Sequence, residues 1–226
     1  MLDDPKALEL VDTLDYPFAE RFGSHAALAQ AQALRVRRFD TEVRRFLASN
    51  PDGTVVALGE GLETQFWRVD NGRVDWVTVD VPEAIEVRER LLPPGERQTL
   101  IARSAFDASW MDEVDGAAGV LLTAQGLFMY FPYADVERLV DASRARFPGA
   151  TLVFDAVSRW LAERSQKPQR RGYQPPPWLW GIDRDKRRRL GAERLRLPRG
   201  RGVFFGHVAP LLRLGMVEVL RVRSDR

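Results

Sequence analysis

Cysteine is absent from this sequence of 226 residues, and histidine occurs only twice, at His25 and His207. The lack of cysteine excludes a disulfide scaffold, an iron–sulfur cluster, a Cys-ligated zinc site and a cysteine nucleophile. Two histidines are too few for a multi-histidine metal site. We therefore predict that the protein holds no metal.

Long apolar segments are also missing. The most apolar window, residues 117–132, is interrupted by Thr123 and Gln125, and it is shorter than the roughly 20 residues that a membrane-spanning helix needs. The first five residues carry no basic charge and no apolar stretch follows them, which argues against a secretory signal. We expect a globular, cytoplasmic protein without membrane contact, and the sequence makes no prediction of its oligomeric state.

Positive charge is concentrated late in the chain. Residues 170–201 contain 11 Lys and Arg against 3 Asp and Glu, although the whole chain has a formal net charge of only +2. Such a segment is found in nucleic-acid-binding modules, in sites for acidic substrates and on solvated helices. The sequence contains no recognised RNA-binding motif, so we expect no nucleic-acid partner, and the nucleic-acid alternative stays open for testing.

Short apolar runs alternate with helical patterns along most of the chain. Strands are predicted at 54–58, 74–79, 99–102, 117–124, 151–154, 194–197 and 217–222, and helices within 1–50, after Pro82, and at 135–146, 183–190 and 203–214. Continuous apolar strands are typical of a parallel sheet buried on both faces. The pattern predicts an α/β protein with a doubly wound, mostly parallel, seven-stranded sheet. We assign residues 1–226 to one domain with a helical extension at 1–50.

Residues 166–200 differ from the rest of the chain because they are basic and because prolines interrupt aromatic residues. We interpret the part at 166–182 as a lid over a site. Tyr173, Trp178 and Trp180, together with Tyr130, are the side chains predicted to contact a substrate. Packing of these rings against the sheet is an equally weighted alternative.

The first apolar strand ends in Gly59-Glu60-Gly61, and the second ends in Asp80, which lies 19 positions after the second glycine. Glycines let a backbone approach a ligand closely, and an acidic residue about 20 positions further on is the usual partner of ribose hydroxyls. A dinucleotide fingerprint would have a third glycine at Thr64. The spacing therefore favours a mononucleoside such as S-adenosylmethionine over NAD, with a plain strand–helix turn and a capping Asp80 as the alternative.

Two further polar residues follow predicted strands. Asp107 could accept a hydrogen bond from an adenine amino group, or it could cap the turn before Trp110. Gln125 offers an oxygen to an ammonium group, or it could be satisfied by the backbone. Gln125→Glu would then be expected to bind a cationic donor more tightly.

In order along the chain, the sequence contains Arg35-x-x-x-x-Asp40, Val55-Val56-Ala57-Leu58-Gly59-Glu60-Gly61-Leu62-Glu63-Thr64, Trp76-Val77-Thr78-Val79-Asp80-Val81-Pro82-Glu83, Ser104-Ala105-Phe106-Asp107-x-x-Trp110 and Gln125-Gly126-Leu127-Phe128-Met129-Tyr130. This set resembles the leucine carboxyl methyltransferase family, and within it the bacterial branch that includes tetracenomycin-type polyketide O-methyltransferases. The resemblance covers residues 25–160 well and the remainder loosely.

The resemblance implies a class I, Rossmann-like methyltransferase that uses S-adenosyl-L-methionine. It places the methionine part of the cofactor against Gly59 and Gly61, the ribose at Asp80 and the adenine between Phe106 and Asp107. It also implies that Arg35 binds the cofactor carboxylate, a suitable role for a fork-shaped cation. The motif residues Glu60, Val81 and Gln125 complete the implied cofactor site, and Gln125 stands where many family members have Glu.

The implied activity is methyl transfer to an oxygen of a small, aromatic or polyketide-like acceptor. A carboxylate acceptor is favoured because it is already ionised at neutral pH and needs no general base, and the sequence identifies no catalytic base. Three alternatives remain: protein carboxyl methylation, RNA methylation through residues 170–201, and a cofactor-binding protein without activity.

Overall fold

The computed structural model describes residues 2–18, 20, 26–167, 176–195 and 217–224. Its helices are α1 (Pro5–Thr13), α2 (Ala26–Ser49), α3 (Gln65–Val69), α4 (Pro82–Leu91), α5 (Tyr133–Arg146), α6 (Arg159–Ser165) and α7 (Arg184–Arg189), and its strands are β1 (Thr54–Leu58), β2 (Asp75–Asp80), β3 (Gln98–Ala102), β4 (Val120–Ala124), β5 (Thr151–Val157), β6 (Glu193–Arg194) and β7 (Val217–Arg223). Short 3-10 helices cover Ala108–Glu113 and Phe128–Tyr130.

The strands form one sheet in the order β3-β2-β1-β4-β5-β7-β6. Strands β1 to β5 are parallel to one another, whereas β7 runs antiparallel to both β5 and β6. The chain starts in the middle of the sheet, runs outward to β3 and then crosses to β4. Strands β1 and β4 therefore flank the topological switch point, where open α/β sheets bind ligands beyond the carboxyl ends of their strands.

Helices cover both faces of the sheet. On one face, Phe39 and Val43 of α2 pack with Val55 and Trp76 of the sheet. On the other, α5 buries Val136, Leu139, Val140 and Ser143, which recur at helical spacing, against a core that includes Val56 and Leu122. This two-sided packing explains why the central strands are apolar along their whole length.

The α/β fold and the mostly parallel sheet are as predicted, but several boundaries differ. Within the described residues, the sheet has six strands of at least five residues and a two-residue edge strand, β6, at the place of the predicted strand at 194–197, so the predicted seven strands are not confirmed at full length. Strand β4 begins at Val120 and not at residue 117, because Gly119 has a φ of +93°, which takes the backbone out of the extended conformation. The predicted helix at 203–214 and the end of the predicted strand at 194–197 lie outside the described residues.

No helix in the described part of the chain is both long enough and apolar enough to cross a lipid bilayer.

Candidate functional site

Strand β1 ends in a loop that turns at two glycines. Gly59 and Gly61 have φ angles of 60° and 53°, a region of backbone conformation that favours glycine. The N–H of Gly59 donates to the carbonyl of Val79 at 2.8 Å, which keeps the loop against the end of β2. A Cβ at Gly59 would lie 2.6 Å from Cδ1 of Leu127, whereas a Cβ at Gly61 would meet no described atom within 4 Å. The backbone at Gly61 therefore borders open space.

Asp80 connects the end of β2 to this loop. Its Oδ2 accepts a hydrogen bond from the N–H of Gly61 at 2.8 Å, and its Oδ1 accepts one from the N–H of Val81 at 2.8 Å. A carboxylate has about four acceptor positions, so Asp80 retains capacity for the two hydroxyls of a ribose. The 19-residue spacing in the sequence thus corresponds to a direct contact between loop and strand end.

A cavity of about 310 Å³ lies next to the ends of β1 and β4 and beneath α2. Its lining residues are Arg35, Ala57, Leu58, Glu60, Leu62, Glu63, Gln65, Thr123 and Gln125. The structure thus brings together Arg35, Glu60 and Gln125, three of the predicted cofactor residues. A larger hollow of about 590 Å³ borders Val120 and Ala150, at the edge where β4 and β5 begin. The position beyond the strand ends favours the smaller cavity as the ligand site.

Arg35 reaches this cavity from α2 and is held by Asp155 of β5. Nη1 of Arg35 lies 3.2 Å from Oδ2 of Asp155, whose side chain is 1% exposed. Oδ1 of Asp155 accepts from the N–H of Gly126 at 2.6 Å, so one carboxylate joins α2 to the loop after β4. Nε of Arg35 is buried and has no hydrogen-bond partner in the described chain. The guanidinium is therefore oriented by Asp155 and still has a donor to offer.

Asp155 was not predicted from the sequence. It is a charged residue in a strand whose residues Leu152 to Val157 are all buried, and a carboxylate in such a strand is a signal for a buried ion pair. Its partner, Arg35, is 120 positions away, which the sequence does not reveal.

Glu60 is buried beneath the glycine loop. Its Oε2 accepts hydrogen bonds from Thr78 at 2.5 Å and from Nε1 of Trp76 at 3.2 Å, and lies 3.2 Å from Nη2 of Arg88. Its Oε1 is buried and has no hydrogen-bond partner in the described residues. Burial raises the pKa of the Glu60 carboxyl, although Arg88 and the two hydrogen bonds oppose the shift. A cationic donor in the cavity would stabilise this unpaired acceptor.

Two side chains in the cavity wall contact each other: Glu63 from the loop after β1 and Gln125 from the loop after β4. Nε2 of Gln125 donates to Oε2 of Glu63 at 2.9 Å. Oε1 of Gln125 is buried and lacks a partner among the described residues. Glu63 was not predicted as a site residue, since its neighbour Gln125 is 62 positions away.

Arg68 of α3 holds Glu63 from the other side. Its guanidinium, 4% exposed, contacts Glu63 at 2.7 Å, Asp4 at 2.6 Å and Asp40 at 3.0 Å. Burial opposes the charge on Arg68, but the hydrogen bonds and charges of Asp40 and Glu63 outweigh this effect and raise its pKa. The cluster fastens the residues before α1 and the side of α2 to the glycine loop.

The predicted adenine residues lie after β3, which pairs with β2 so that Ala102 is opposite Asp80. Phe106 packs on Phe131 with ring centroids 4.3 Å apart. Asp107 is exposed and caps the 3-10 helix, accepting from the N–H of Ser109 at 3.1 Å and from its hydroxyl at 2.7 Å. These hydrogen bonds lower the pKa of the Asp107 carboxyl. The capping alternative is thus realised, and binding of adenine by the same carboxylate stays a prediction.

Trp180 packs in the core, so for this ring the packing alternative holds and the lid interpretation does not. Its side chain is 7% exposed, its Nε1 donates to the carbonyl of Phe128 at 2.8 Å, and its ring meets Tyr133 edge-on at 5.1 Å. The prediction assumed an extended chain free of the sheet. Instead, the N–H of Ile182 donates to the carbonyl of Val157 at 2.7 Å, which holds this segment against the end of β5.

Trp178 and Tyr130 are partly buried and pack in one small cluster with Met129, Val157 and Ala162. The backbone N–H of Trp178 donates to Ser165 Oγ at 3.0 Å, so α6 holds this residue. Tyr173, Pro168 and Pro175 of the predicted lid lie outside the described residues, as do His25 and His207. Contact of Trp178 or Tyr130 with a substrate stays a prediction.

The family model for leucine carboxyl methyltransferase matches residues 2–144. The chain belongs to the leucine carboxyl methyltransferase family. The matched stretch contains every predicted cofactor residue, from Arg35 to Gln125. A curated relative, the tetracenomycin polyketide synthesis O-methyltransferase TcmP of Streptomyces glaucescens, is 32% identical over 183 residues, which are 80% of this chain and 67% of TcmP.

Solved structures of methyltransferases share the fold of this family member. The N-methyltransferase NodS of Bradyrhizobium japonicum in complex with S-adenosyl-L-homocysteine has a TM-score of 0.55 at 13% identity, covering 99% of this chain and 100% of NodS. The magnesium protoporphyrin IX methyltransferase ChlM of Synechocystis with bound S-adenosylmethionine has a TM-score of 0.52 at 12% identity, covering 99% of each chain. Together with the family match, they identify the protein as an S-adenosylmethionine-dependent methyltransferase.

Proposed function

We propose that this methyltransferase transfers a methyl group to an oxygen of a small molecule, with a carboxylate on an aromatic or polyketide-like compound as the favoured acceptor. The observation that carries the proposal is the cavity at the switch point between β1 and β4, with Arg35 and two unpartnered acceptors in its wall. The identity with TcmP supports an oxygen acceptor on a compound of the polyketide type.

The residues in and next to the cavity fit the cofactor. The orphaned donor of Arg35 suits a carboxylate, and the orphaned oxygens of Glu60 and Gln125 suit an ammonium group. Asp80 has acceptor capacity for a ribose, and the space beside Gly61 leaves room for close approach of a ligand to the backbone. Phe106, Asp107 and Val81 lie further along the same edge and are the proposed adenine contacts.

The cofactor supplies an activated methyl group on a sulfonium. The contribution of the protein is to fix the donor and to exclude water while an acceptor oxygen lies in line with it, since most of the advantage in such a displacement comes from orientation. A carboxylate acceptor is ionised at neutral pH and needs no proton removed, so we assign no catalytic base. We propose that Trp178 and Tyr130 lie on the acceptor side and that the protein acts in the cytoplasm.

Protein carboxyl methylation is the second candidate, because the matching family model is named for a leucine carboxyl group. RNA methylation has less support. In the described part of the basic segment, Lys186 pairs with Asp183 and Arg188 pairs with Asp185, so at least two of the five cations of α7 already have partners within the chain. We therefore propose a small-molecule acceptor and no nucleic-acid partner.

The test is transfer of a labelled methyl group from S-adenosylmethionine to three separate fractions of a cell extract: small molecules, proteins and RNA. We expect label in the small-molecule fraction that mild base releases as methanol, as a carboxyl methyl ester requires. Base-stable label in that fraction would mean a hydroxyl acceptor. Label confined to protein or RNA would replace the proposal with one of the other two.

A further inference from the structure

The contact between Gln125 and Glu63 determines what the cavity can bind. Nε2 of Gln125 donates to the Glu63 carboxylate at 2.9 Å, both side chains line the cavity, and Oε1 of Gln125 is buried without a partner in the described chain. A carboxylate only accepts hydrogen bonds. The amide must therefore present its NH2 group to Glu63, which leaves its oxygen as the atom that a ligand can use.

Glu63 is itself held in place. Its Oε1 lies 2.7 Å from Nη2 of Arg68 and accepts the backbone N–H of Thr64 at 3.1 Å. Arg68 is fixed by Asp40 and Asp4. One carboxylate oxygen of Glu63 thus remains on Arg68, and the other remains on Gln125.

We propose that Glu63 is a positioning residue that orients the Gln125 amide, so that its oxygen accepts a hydrogen bond from the α-ammonium of the cofactor. The proposal rests on the proposed cofactor site. A second, independent observation supports a cationic donor here, because Oε1 of buried Glu60 also lacks a partner in the wall of the same cavity. In this protein, Glu63 places beside position 125 the negative charge that the neutral Gln125 side chain lacks.

The isosteric change Glu63→Gln makes a definite prediction about the amide. The single oxygen of Gln at position 63 would stay on Arg68, since hydrogen bonds to a charged group are the stronger ones. The NH2 group of that side chain would then face Gln125, which must rotate its oxygen toward it. This rotation turns the Gln125 NH2 group into the cavity. There it cannot accept a hydrogen bond from an ammonium ion, because both groups are donors.

The experiment is calorimetric titration of wild type and Glu63→Gln with three nucleosides: S-adenosylmethionine, S-adenosylhomocysteine and 5′-methylthioadenosine, which lacks the amino-acid part. We expect Glu63→Gln to weaken binding of the first two by about tenfold or more, as for loss of a hydrogen bond to a charged group. Binding of 5′-methylthioadenosine should change by less than about twofold, a difference of about 0.4 kcal/mol.

Asp4→Asn is the matched control. Asp4 also pairs with Arg68 and accepts from Thr64 at 2.7 Å, but its carboxylate makes no contact with Gln125 in the described structure. This variant disturbs the Arg68 cluster without rotating the Gln125 amide. Its affinities for the three nucleosides should therefore equal those of wild type. An Asp4→Asn variant that reproduces the pattern of Glu63→Gln would overturn the proposal.

A double-mutant cycle separates an effect on the orientation of the Gln125 amide from a general effect on the loop after β1. If Glu63 acts through Gln125, Glu63→Gln should cause no further loss of S-adenosylhomocysteine affinity in a Gln125→Ala background. Additive losses, or an equal loss for all three nucleosides, would overturn the positioning role. If wild type binds none of the nucleosides, the proposed function itself fails. If wild type binds and Glu63→Gln binds equally well, only the positioning role fails.

Discussion

Asp80 is the residue through which the sheet, the glycine loop and the proposed ribose site meet. Asp80→Ala removes an acceptor for two hydroxyls and also releases the N–H of Gly61. We expect it to weaken S-adenosylmethionine binding by about 1.5–3 kcal/mol, the usual range for hydrogen bonds to a charged group. Asp75→Ala is the control, because Asp75 is exposed at the start of the same strand. Calorimetric titration of both variants checks this, and equal dissociation constants would contradict the assignment.

Glu60 makes the stability of the ligand-free protein depend on pH. Burial raises the pKa of its carboxyl above the ordinary value of 4.5, so between the two values the folded state keeps a proton that the unfolded state releases. Stability therefore falls as the pH rises through this window. Glu60→Gln removes the titration, and we expect its Tm to rise relative to wild type as the pH increases above 4.5. Thermal melting across the pH range measures this; a difference in Tm that is constant with pH would contradict it.

The structure also changes the expectation for Gln125→Glu. The new carboxylate would lie beside that of Glu63, which now receives the Gln125 amide at 2.9 Å. Two carboxylates at this distance share a proton, and one of them titrates at a raised pKa. We expect any gain in affinity for S-adenosylmethionine to be small at about pH 6 and to grow toward about pH 8, as that proton is lost. Titration at both pH values decides, and a gain that shrinks over this range would contradict the shared proton.

Residue spacing could predict contacts between adjacent strand ends but not contacts across the fold. Gly61 follows β1 and Asp80 ends the neighbouring strand β2, so a spacing of 19 was sufficient to place them together. Asp155 meets Arg35 across 120 positions, and Glu63 meets Gln125 across 62. Nothing in local periodicity encodes such pairs, since they depend on the order of strands in the sheet and on the docking of α2.

The segment after α6 is the part of the described chain that differs most from the sequence-based prediction. Trp180 is buried, donates to the Phe128 carbonyl and packs on Tyr133. Trp180→Ala would therefore leave a large cavity and remove one of the two hydrogen bonds that the Phe128 carbonyl accepts, the other coming from the N–H of Phe131. We expect a loss of about 3–5 kcal/mol in the free energy of unfolding. Trp160→Ala, at a ring that is 53% exposed on α6, should cost less than about 1 kcal/mol. Chemical denaturation measures both, and equal losses would contradict the core assignment.

The central strands were predictable because continuous apolar runs such as β1 and β4 are an unambiguous signal of a sheet covered on both faces. Helix α3 was not, since five residues are too few to show a helical period. The burial of Trp180 could not be predicted, because the sequence does not reveal which neighbouring strand the Trp178–Trp180 segment contacts. That neighbour, the end of β5, is distant in sequence.

The strand order of the whole molecule assembles the proposed site. Loops after β3, β2, β1 and β4 lie side by side in the order of the sheet, so Asp107, Asp80, Gly61 and Gln125 follow one another along a single edge. Arg35 enters from α2 through its contact with Asp155 of β5. The site is thus a property of the topology, and its contacts depend on strand ends that come together only in the folded chain.

We propose that this edge of the sheet binds S-adenosylmethionine and not a dinucleotide. The most direct test of this proposal is calorimetric titration of the wild-type protein with S-adenosylmethionine and, separately, with NAD. Thr64 at the position of a third glycine and the charged cavity wall predict saturable binding of S-adenosylmethionine and no detectable binding of NAD. Tighter binding of NAD, or no binding of S-adenosylmethionine, would contradict the assignment of this edge as a cofactor site.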